Sequence, residues 1–255
     1  MKITKLFFPL LLLLTLASSC GFGGKNNSKN AVCVWNKVSL RVEPSEKSKW
    51  LAAINLGEKV TFLDEKATDA SGKKPIEFVK VALQDGKEGW VRADYIVLNS
   101  EPAVFIYNAT IYNRPDLLTK SDKNFNAMDI VAVKTGEDTS WLEVTGKRAD
   151  GQWIETGWVK PENLSYLDTD IAVAIFTQAA IAEKDDDKRL TMLQEISANS
   201  DLSNSFFMSS VYDMISYLSG DGEYDAEGEY ESGEEGEAEP EVEAVSEDST
   251  VYVVE

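Results

Sequence analysis

The residues of this sequence best placed for chemistry are aromatic and cationic side chains that could bind a ligand. Lys147, Arg148 and Trp153 lie within one polar stretch, residues 145–156. An indole ring can pack on a ligand while neighbouring cations pair with its negative groups. We therefore predict that Lys147, Arg148 and Trp153 bind the ligand. The alternative is that Trp153 covers one end of its own domain or the seam between two domains.

Three further aromatic residues, Tyr112, Trp90 and Trp158, are candidate ligand contacts. Trp90 and Trp158 each stand between a glycine and a valine. The glycine permits a close approach of the backbone, and the tryptophan is large enough to fill the core of a small domain. Core packing is therefore the first expectation for these two tryptophans, and ligand contact is the alternative. Trp35 and Tyr107 are weaker candidates, because alternate residues of a strand must fill the core.

Catalytic and metal chemistry find little support in the composition. The 255 residues include no histidine and two cysteines, which excludes a Ser-His-Asp triad, a Cys-His pair, an imidazole metal site and a four-cysteine zinc site. The run Asp185-Asp186-Asp187 lacks the alternating spacing of a calcium loop, so we expect it to cap a helix. No carboxylate pair or Ser-Lys spacing stands out. We predict no catalytic residue, no metal and no cofactor.

The negative charge is concentrated at one end of the chain. The net charge is -19, and residues 220–255 contain fifteen acidic residues and no basic one. Phosphate binding needs clustered cations, so we expect no nucleic-acid partner. A Gly/Glu-rich stretch cannot bury enough apolar surface to fold, and we predict a disordered acidic tail over residues 220–255. Its apolar end, Val251–Val254, could add to an exposed sheet edge.

The N-terminus has the pattern of an export signal. Lys2 and Lys5 precede an apolar run, residues 6–16, which is too short to span a membrane. Small residues then lead to Cys20, and residues 16–20 resemble the lipobox of bacterial lipoproteins, although Ala17 stands where that family usually has leucine. The resemblance implies a signal peptide (1–19), an acylated Cys20 and a membrane partner through the lipid. The alternative is an ordinary signal peptide cleaved near Ser19, with Cys20 incidental.

Two expectations follow for the mature protein. Residues 20–30 are rich in Gly, Asn and Lys, which is typical of a flexible tether. Gly21 follows the cysteine where inner-membrane lipoproteins often have aspartate, so the resemblance implies attachment to the outer membrane of the bacterial cell envelope, facing the periplasm. Cys33 lies in an apolar run, and we predict a small buried core residue there.

The middle of the chain contains a duplication. Short Val, Ile and aromatic runs over residues 31–167 are separated by Gly, Pro, Asn and Asp, which is typical of small all-β barrels. The region also repeats internally. Residues 38–44, 78–81 and 89–91 have counterparts at 109–115, 141–144 and 157–159.

The order of these motifs resembles that of a bacterial SH3-like domain. The first copy contains V-x-L-R-x-x-P, G-x-x-V-x-x-L, aromatic-x-K-V and G-W-V in that order. The second copy has Tyr112 where the family has arginine, and no glycine at the start of residues 128–133. The resemblance implies two tandem SH3-like barrels, residues 31–100 and 101–167. In that family such domains target peptidoglycan or proteins and often accompany a Cys-His peptidase, whose histidine this chain lacks.

After residue 167 the spacing of apolar residues becomes typical of helices. Asp168-Thr169-Asp170 could cap a first helix, and apolar residues at helical spacing predict two more helices before Gly220. The predicted fold class is therefore mainly β: two tandem SH3-like small barrels, a short α-helical segment (168–219) and a disordered acidic tail.

These features predict a lipid-anchored envelope protein that is not an enzyme. Its paired domains would bind or scaffold peptidoglycan or an envelope protein. One alternative is an assembly lipoprotein that acts through the helical segment and the acidic tail. A second alternative is a peptidoglycan-active enzyme that works without histidine.

Overall fold

Short β-strands occupy most of the described residues from Lys29 to Ser165, and three helices follow. The computed structural model describes residues 29–136, 140–148, 151 and 153–220. The strands are β1 (Lys29–Cys33), β2 (Val38–Arg41), β3 (Trp50–Ile54), β4 (Lys59–Asp69), β5 (Ile76–Ala82), β6 (Glu88–Arg92), β7 (Ile96–Leu98), β8 (Ser100–Phe105), β9 (Ala109–Tyr112), β10 (Lys120–Phe125), β11 (Ile130–Lys134), β12 (Leu142–Lys147), β13 (Ile154–Val159) and β14 (Leu164–Ser165). The helices are α1 (Asp168–Ile181), α2 (Asp186–Ala198) and α3 (Met208–Leu218). The predicted mainly β fold with a short helical segment is confirmed.

The strands form two seven-stranded sheets with the same order. In the first domain (29–98) neighbouring strands run β3-β2-β6-β5-β4-β1-β7, and in the second domain (100–165) they run β10-β9-β13-β12-β11-β8-β14. The two orders are the same when each strand of the second domain is matched with the strand numbered seven lower, so that β8 corresponds to β1 and β13 to β6. The Gly-Trp-Val motifs fall on the equivalent strands β6 and β13.

The pairing registers reproduce the duplication residue by residue. Val81 pairs with Gly89 in the first domain, and Val144 pairs with Gly157 in the second. The turn before β4 has Gly57 at φ 77, and the equivalent turn before β11 has Met128 at φ 70. The second domain therefore keeps the left-handed turn without the glycine, and Met128 adopts the conformation that a glycine adopts more easily.

The tryptophan of each Gly-Trp-Val motif lies on the outer face of its sheet. Gly89 and Val91 are buried while Trp90 is only partly buried, and Trp158 alternates with its neighbours in the same way. A Cβ on Gly89 would lie 2.6 Å from the carbonyl oxygen of Arg41. A side chain at residue 89 would therefore not fit on the inner face. The tryptophans themselves lie on the outer face, so the prediction that they fill the core is wrong. The predicted close approach of the glycine is confirmed.

A small apolar seam joins the two domains. Val32 and Val34 of β1 are buried against Ala132 of β11, with Val97 and Ile154 packed at the margin. These side chains belong to the outer faces, because their neighbours along each strand fill the separate cores of the two domains. The Asn30 amide also donates to a carboxylate oxygen of Glu101 across the joint, at 2.6 Å.

The helical segment packs against both domains. Its core includes Val104, Met128 and Ile130 of the second domain, and Leu56 of the first domain packs against it. Helix α1 is apolar on most sides, because it lies between the β-domains and the other two helices. The C-terminal segment is therefore a third layer that rests on the junction of the β-domains.

The helix caps follow the prediction at one helix and depart from it at another. Asp185 accepts a hydrogen bond from the backbone N–H of Lys188 and caps α2 as predicted. The cap position of α1 is Leu167, which makes no side-chain cap bond. Asp170 instead lies inside the first turn and is buried against the segment before α3.

Several predicted boundaries shift. Strand β1 begins at Lys29, so the end of the predicted tether belongs to a sheet, and Ser100 opens the second domain. The polar stretch 64–77 contributes the end of β4 and the start of β5. The predicted signal peptide (1–19), Cys20, the tether up to residue 28 and the acidic tail beyond Gly220 lie outside the described residues.

Candidate functional site

A cleft of about 230 Å³ opens on the outer face of the first domain. Phe78, which is buried, forms its floor, and the partly buried rings of Trp35 and Tyr95 line it. Arg41, Arg92 and Glu46 supply charged groups. We call this set of six residues the first-domain cleft. A site built from aromatic rings and a few polar groups suits a ligand with both apolar and charged parts.

The backbone pairing of three separate segments assembles the first-domain cleft. Trp35 follows β1 and Tyr95 lies in the 3-10 turn before β7, and the N–H of Val34 donates to the carbonyl of Tyr95 at 2.9 Å. This bond brings the two rings to a centroid separation of 5.7 Å. Arg92 ends β6 and Arg41 ends β2, so the sheet order places both arginines beside the rings.

Arg92 is held in place by two carboxylates and an aromatic ring. Its guanidinium donates to Glu46 at 3.0 Å and to Asp94 at 2.6 Å, and it lies 5.2 Å from the Tyr95 ring centroid. The hydrogen bond that Arg92 donates to Asp94 raises the pKa of Arg92, so the group stays cationic. Its Nε is buried and has no hydrogen-bond partner among the described residues. The exposed side of the guanidinium gives the cleft a positive charge that suits an acidic or carbonyl group of a ligand.

Lys147 of the second domain reaches the first-domain cleft. It ends β12, and its Nζ lies 4.7 Å from the centroid of the Trp35 ring. The contact is a cation–π interaction between domains. Of the three residues predicted in segment 145–156, Lys147 is the one that the structure places against this cleft.

Trp153 and Arg148 lie beyond Lys147 in the β12–β13 connection. Trp153 is 76% exposed, which favours the predicted contact role over the alternative that its ring covers a domain end or the seam. The carbonyl of Arg148 accepts a hydrogen bond from Gly151 at 3.1 Å, which turns the chain. Ligand contact by Trp153 and Arg148 stays a prediction.

The remaining predicted residues lie on outer faces, one group in each domain. Trp90 pairs in register with Arg41 and Lys80, so it flanks the first-domain cleft on the basic side. Trp158 pairs with Tyr112 and Glu143 in the second domain. The equivalent positions thus combine a tryptophan with cations in one domain and with an aromatic residue and an acid in the other.

Sequence reasoning missed most of the first-domain cleft. Trp35 was only a weak candidate, and Phe78, Tyr95 and Arg92 were assigned no role. Two signals were present: Arg92 and Tyr95 follow Trp90 within five residues, and an aromatic residue at the end of a buried run is free to turn outward. Neither signal shows that Trp35, sixty residues away, joins them.

Comparison with protein families identifies this domain. Residues 36–97 match the model of the bacterial SH3 domain family. These residues form a bacterial SH3 domain. The match includes every residue of the first-domain cleft except Trp35, which immediately precedes it.

Other comparisons add little. The solved structures of NlpC2 and NlpC1 from Trichomonas vaginalis are each 12% identical to this chain, with TM-scores of 0.23 and 0.24. The comparisons cover 66% and 60% of this chain, and the chain spans only 56% and 52% of those two proteins. TM-scores this low establish no shared overall fold. None of the curated proteins compared with the chain matches it.

The described residues contain neither a membrane-spanning helix nor a cluster of metal-ligating side chains. No helix in these ranges is long and apolar enough to cross a membrane. No group of three His, Cys, Asp or Glu side chains in the same ranges could hold a metal ion.

Proposed function

We propose that this protein is a non-catalytic binding protein of the bacterial cell envelope, and that its ligand is peptidoglycan or an envelope protein. The observation that carries the proposal is the first-domain cleft, which lies in a bacterial SH3 domain. Its rings offer apolar contact, and Arg41 and Arg92 offer positive charge for an acidic or carbonyl group. Such a cleft suits recognition of a ligand better than covalent chemistry.

The second domain is proposed to be a second SH3-like domain. Its strand order, its registers and its left-handed turn match those of the first domain. Its own version of the cleft is altered, because Tyr107, the counterpart of Trp35, packs edge-to-face against Phe206 at 5.4 Å. The helical segment thus covers the position in the second domain that corresponds to the open cleft of the first domain.

The proposed location is the outer membrane, with Cys20 carrying the lipid. The support is the sequence pattern around Cys20 alone. Mass spectrometry of the mature N-terminus tests this part: an acylated Cys20 is expected, and an unmodified cysteine would refute the anchor without touching the binding proposal.

Replacing Trp35 should separate binding from folding. We expect Trp35→Ala to weaken co-sedimentation of the full chain with purified peptidoglycan, or capture of an envelope protein, by about tenfold, or about 1.4 kcal/mol, because aromatic residues in a pocket dominate such contacts. Tyr212→Ala is the control, since Tyr212 is an aromatic residue that is 53% exposed on α3, outside the first domain. Equal binding by Trp35→Ala and the wild type, with both variants folded, would contradict the proposed site.

A further inference from the structure

A second cluster of aromatic side chains lies on the outer face of the second domain. Tyr112, Trp158 and Glu143 form one row across β9, β13 and β12, and Glu143 is paired with Lys134 of β11 at 2.9 Å. Trp141 joins the row through an edge-to-face contact with Tyr112 at 4.9 Å. All three rings are partly exposed. We call these five residues the second-domain row.

A continuous face of the β12–β13 hairpin connects this row to the first-domain cleft. Side chains alternate between faces along a strand, so the residues that share the face of Trp158 are the threonine pair Thr145–Thr156 and the pair Lys147–Ile154. The two threonine hydroxyls are hydrogen-bonded at 3.0 Å, and Lys147 then reaches Trp35. From Trp158 to Ile154 the strand advances roughly 13 Å.

We propose that one extended, linear polysaccharide binds along this face, from the second-domain row across the threonine pair to the first-domain cleft. The proposal rests on the proposed function and names the substrate class of that site. The span between the two aromatic groups exceeds the size of a single sugar, so a ligand that uses both must be a polymer. Partly exposed rings can stack on sugar faces, and hydroxyl and charged groups between them can bind sugar hydroxyls.

The proposed path lies on the face of the β12–β13 hairpin and does not follow a sheet edge. A peptide that adds to a sheet needs an open edge with unpaired backbone groups. Strand β12 is paired with β11 and β13, whereas β13 is paired with β12 along its length and with β9 at Trp158. Strand addition would use the edge of β13, so a ligand that lies on the face itself is recognised by side chains, which here are aromatic rings and hydroxyl groups.

The cations along the face set the expected charge of the polymer. Lys160 lies 4.0 Å above the Trp141 ring, and Lys147 lies on Trp35 at the other end. The carboxylate of Glu143 is already paired with Lys134. The face is thus mildly basic and suits a neutral or carboxylate-bearing chain.

Chain-length dependence tests the proposal. The probes are β-1,4-linked N-acetylglucosamine oligomers of two and six sugars, titrated against the full chain by calorimetry. We expect the hexamer to bind at least tenfold more tightly than the dimer, because the second contact becomes intramolecular once both ends are reached. Equal affinities, or no binding by either oligomer, would overturn the proposal.

A substitution in the middle of the face provides the second arm. Thr156→Arg places a long side chain at an exposed position between the two aromatic groups and should reduce the hexamer affinity to that of the dimer. Thr61→Arg, at an exposed position of β4 in the first domain, is the matched control and should leave both affinities unchanged. An unchanged hexamer affinity in Thr156→Arg would overturn the proposal. Failure of both arms, while Trp35→Ala still weakens peptidoglycan or envelope-protein binding, would reject the polysaccharide path and retain the first-domain cleft.

Discussion

Burial decides the chemistry of single residues in this protein, and Cys33 shows it most directly. Its side chain is fully buried, as the apolar run around it predicted, and its Sγ lies 3.1 Å from the carbonyl oxygen of Trp35. Desolvation by burial raises the pKa of the thiol to about 12. The thiolate that would react with electrophiles is therefore scarce at neutral pH.

Alkylation should follow this burial. In a Cys20→Ser chain, where Cys33 is the remaining cysteine, we expect no iodoacetamide labelling at pH 8 in buffer and full labelling in denaturant, measured by mass. The folded thiol keeps its proton up to about pH 12, whereas the unfolded thiol loses it near 9. Stability from this group is present below pH 9 and is lost as pH rises towards 12, by up to about 1.4 kcal/mol per pH unit. A Cys33→Ala chain with the same alkaline dependence would contradict this origin.

At the scale of elements, α1 is fixed by one buried carboxylate. Asp170 accepts hydrogen bonds from Ser165 Oγ at 2.6 Å, Ser205 Oγ at 2.8 Å and the Phe206 N–H at 2.8 Å. The three partners belong to β14 and to the segment before α3, so the carboxylate ties the end of the second domain to the last helix. Removing it would leave three donors near each other without their acceptor.

Asp170→Ala should therefore be costly. We expect the free energy of unfolding to fall by about 3 kcal/mol, since each buried donor left unsatisfied costs about 1–3 kcal/mol. Asp168→Ala, in the same helical turn but exposed, should cost less than about 1 kcal/mol. Urea unfolding followed by tryptophan fluorescence compares the two, and equal losses would argue against the proposed clamp.

The elements were more predictable from sequence than the site. Val, Ile and aromatic alternation located the strands, and the repeated Gly-Trp-Val aligned β6 with β13, because a buried glycine is required at both. The motif could not show which face Trp90 takes, since that depends on Arg41 of β2 blocking the inner position. The cleft escaped prediction because Trp35, Phe78 and Tyr95 come from separate elements that only strand pairing brings together.

At the scale of the whole molecule, two apolar contacts join the parts that the structure describes. The seam between domains buries Val32, Val34 and Ala132, and the helical core joins residues of both domains to α1. Neither domain therefore presents its complete outer face to solvent. We infer that the described body unfolds as one cooperative unit.

A charge in the seam should break this cooperativity. Ala132→Glu places a carboxylate where the wild-type side chain is fully buried, and an unpaired buried charge is strongly unfavourable. We expect one calorimetric transition in the wild type and two, or a single one at a clearly lower temperature, in the variant. Ala53→Glu, at an exposed position of β3, is the control and should shift the transition little. A variant that melts like the wild type would show that the seam contributes no stability.

The packing of Val104, Met128 and Ile130 under the helices has a consequence for the order in which the chain can fold. Synthesis delivers the first domain complete before any of its partners exist, and its own core involves no helical residue. The second domain reaches its last strand at Ser165 with those three apolar side chains still uncovered, and the residues that cover them extend to Leu218. A nascent second domain thus exposes an apolar, aggregation-prone patch until about fifty more residues have been synthesised. A chaperone would be most useful during that interval.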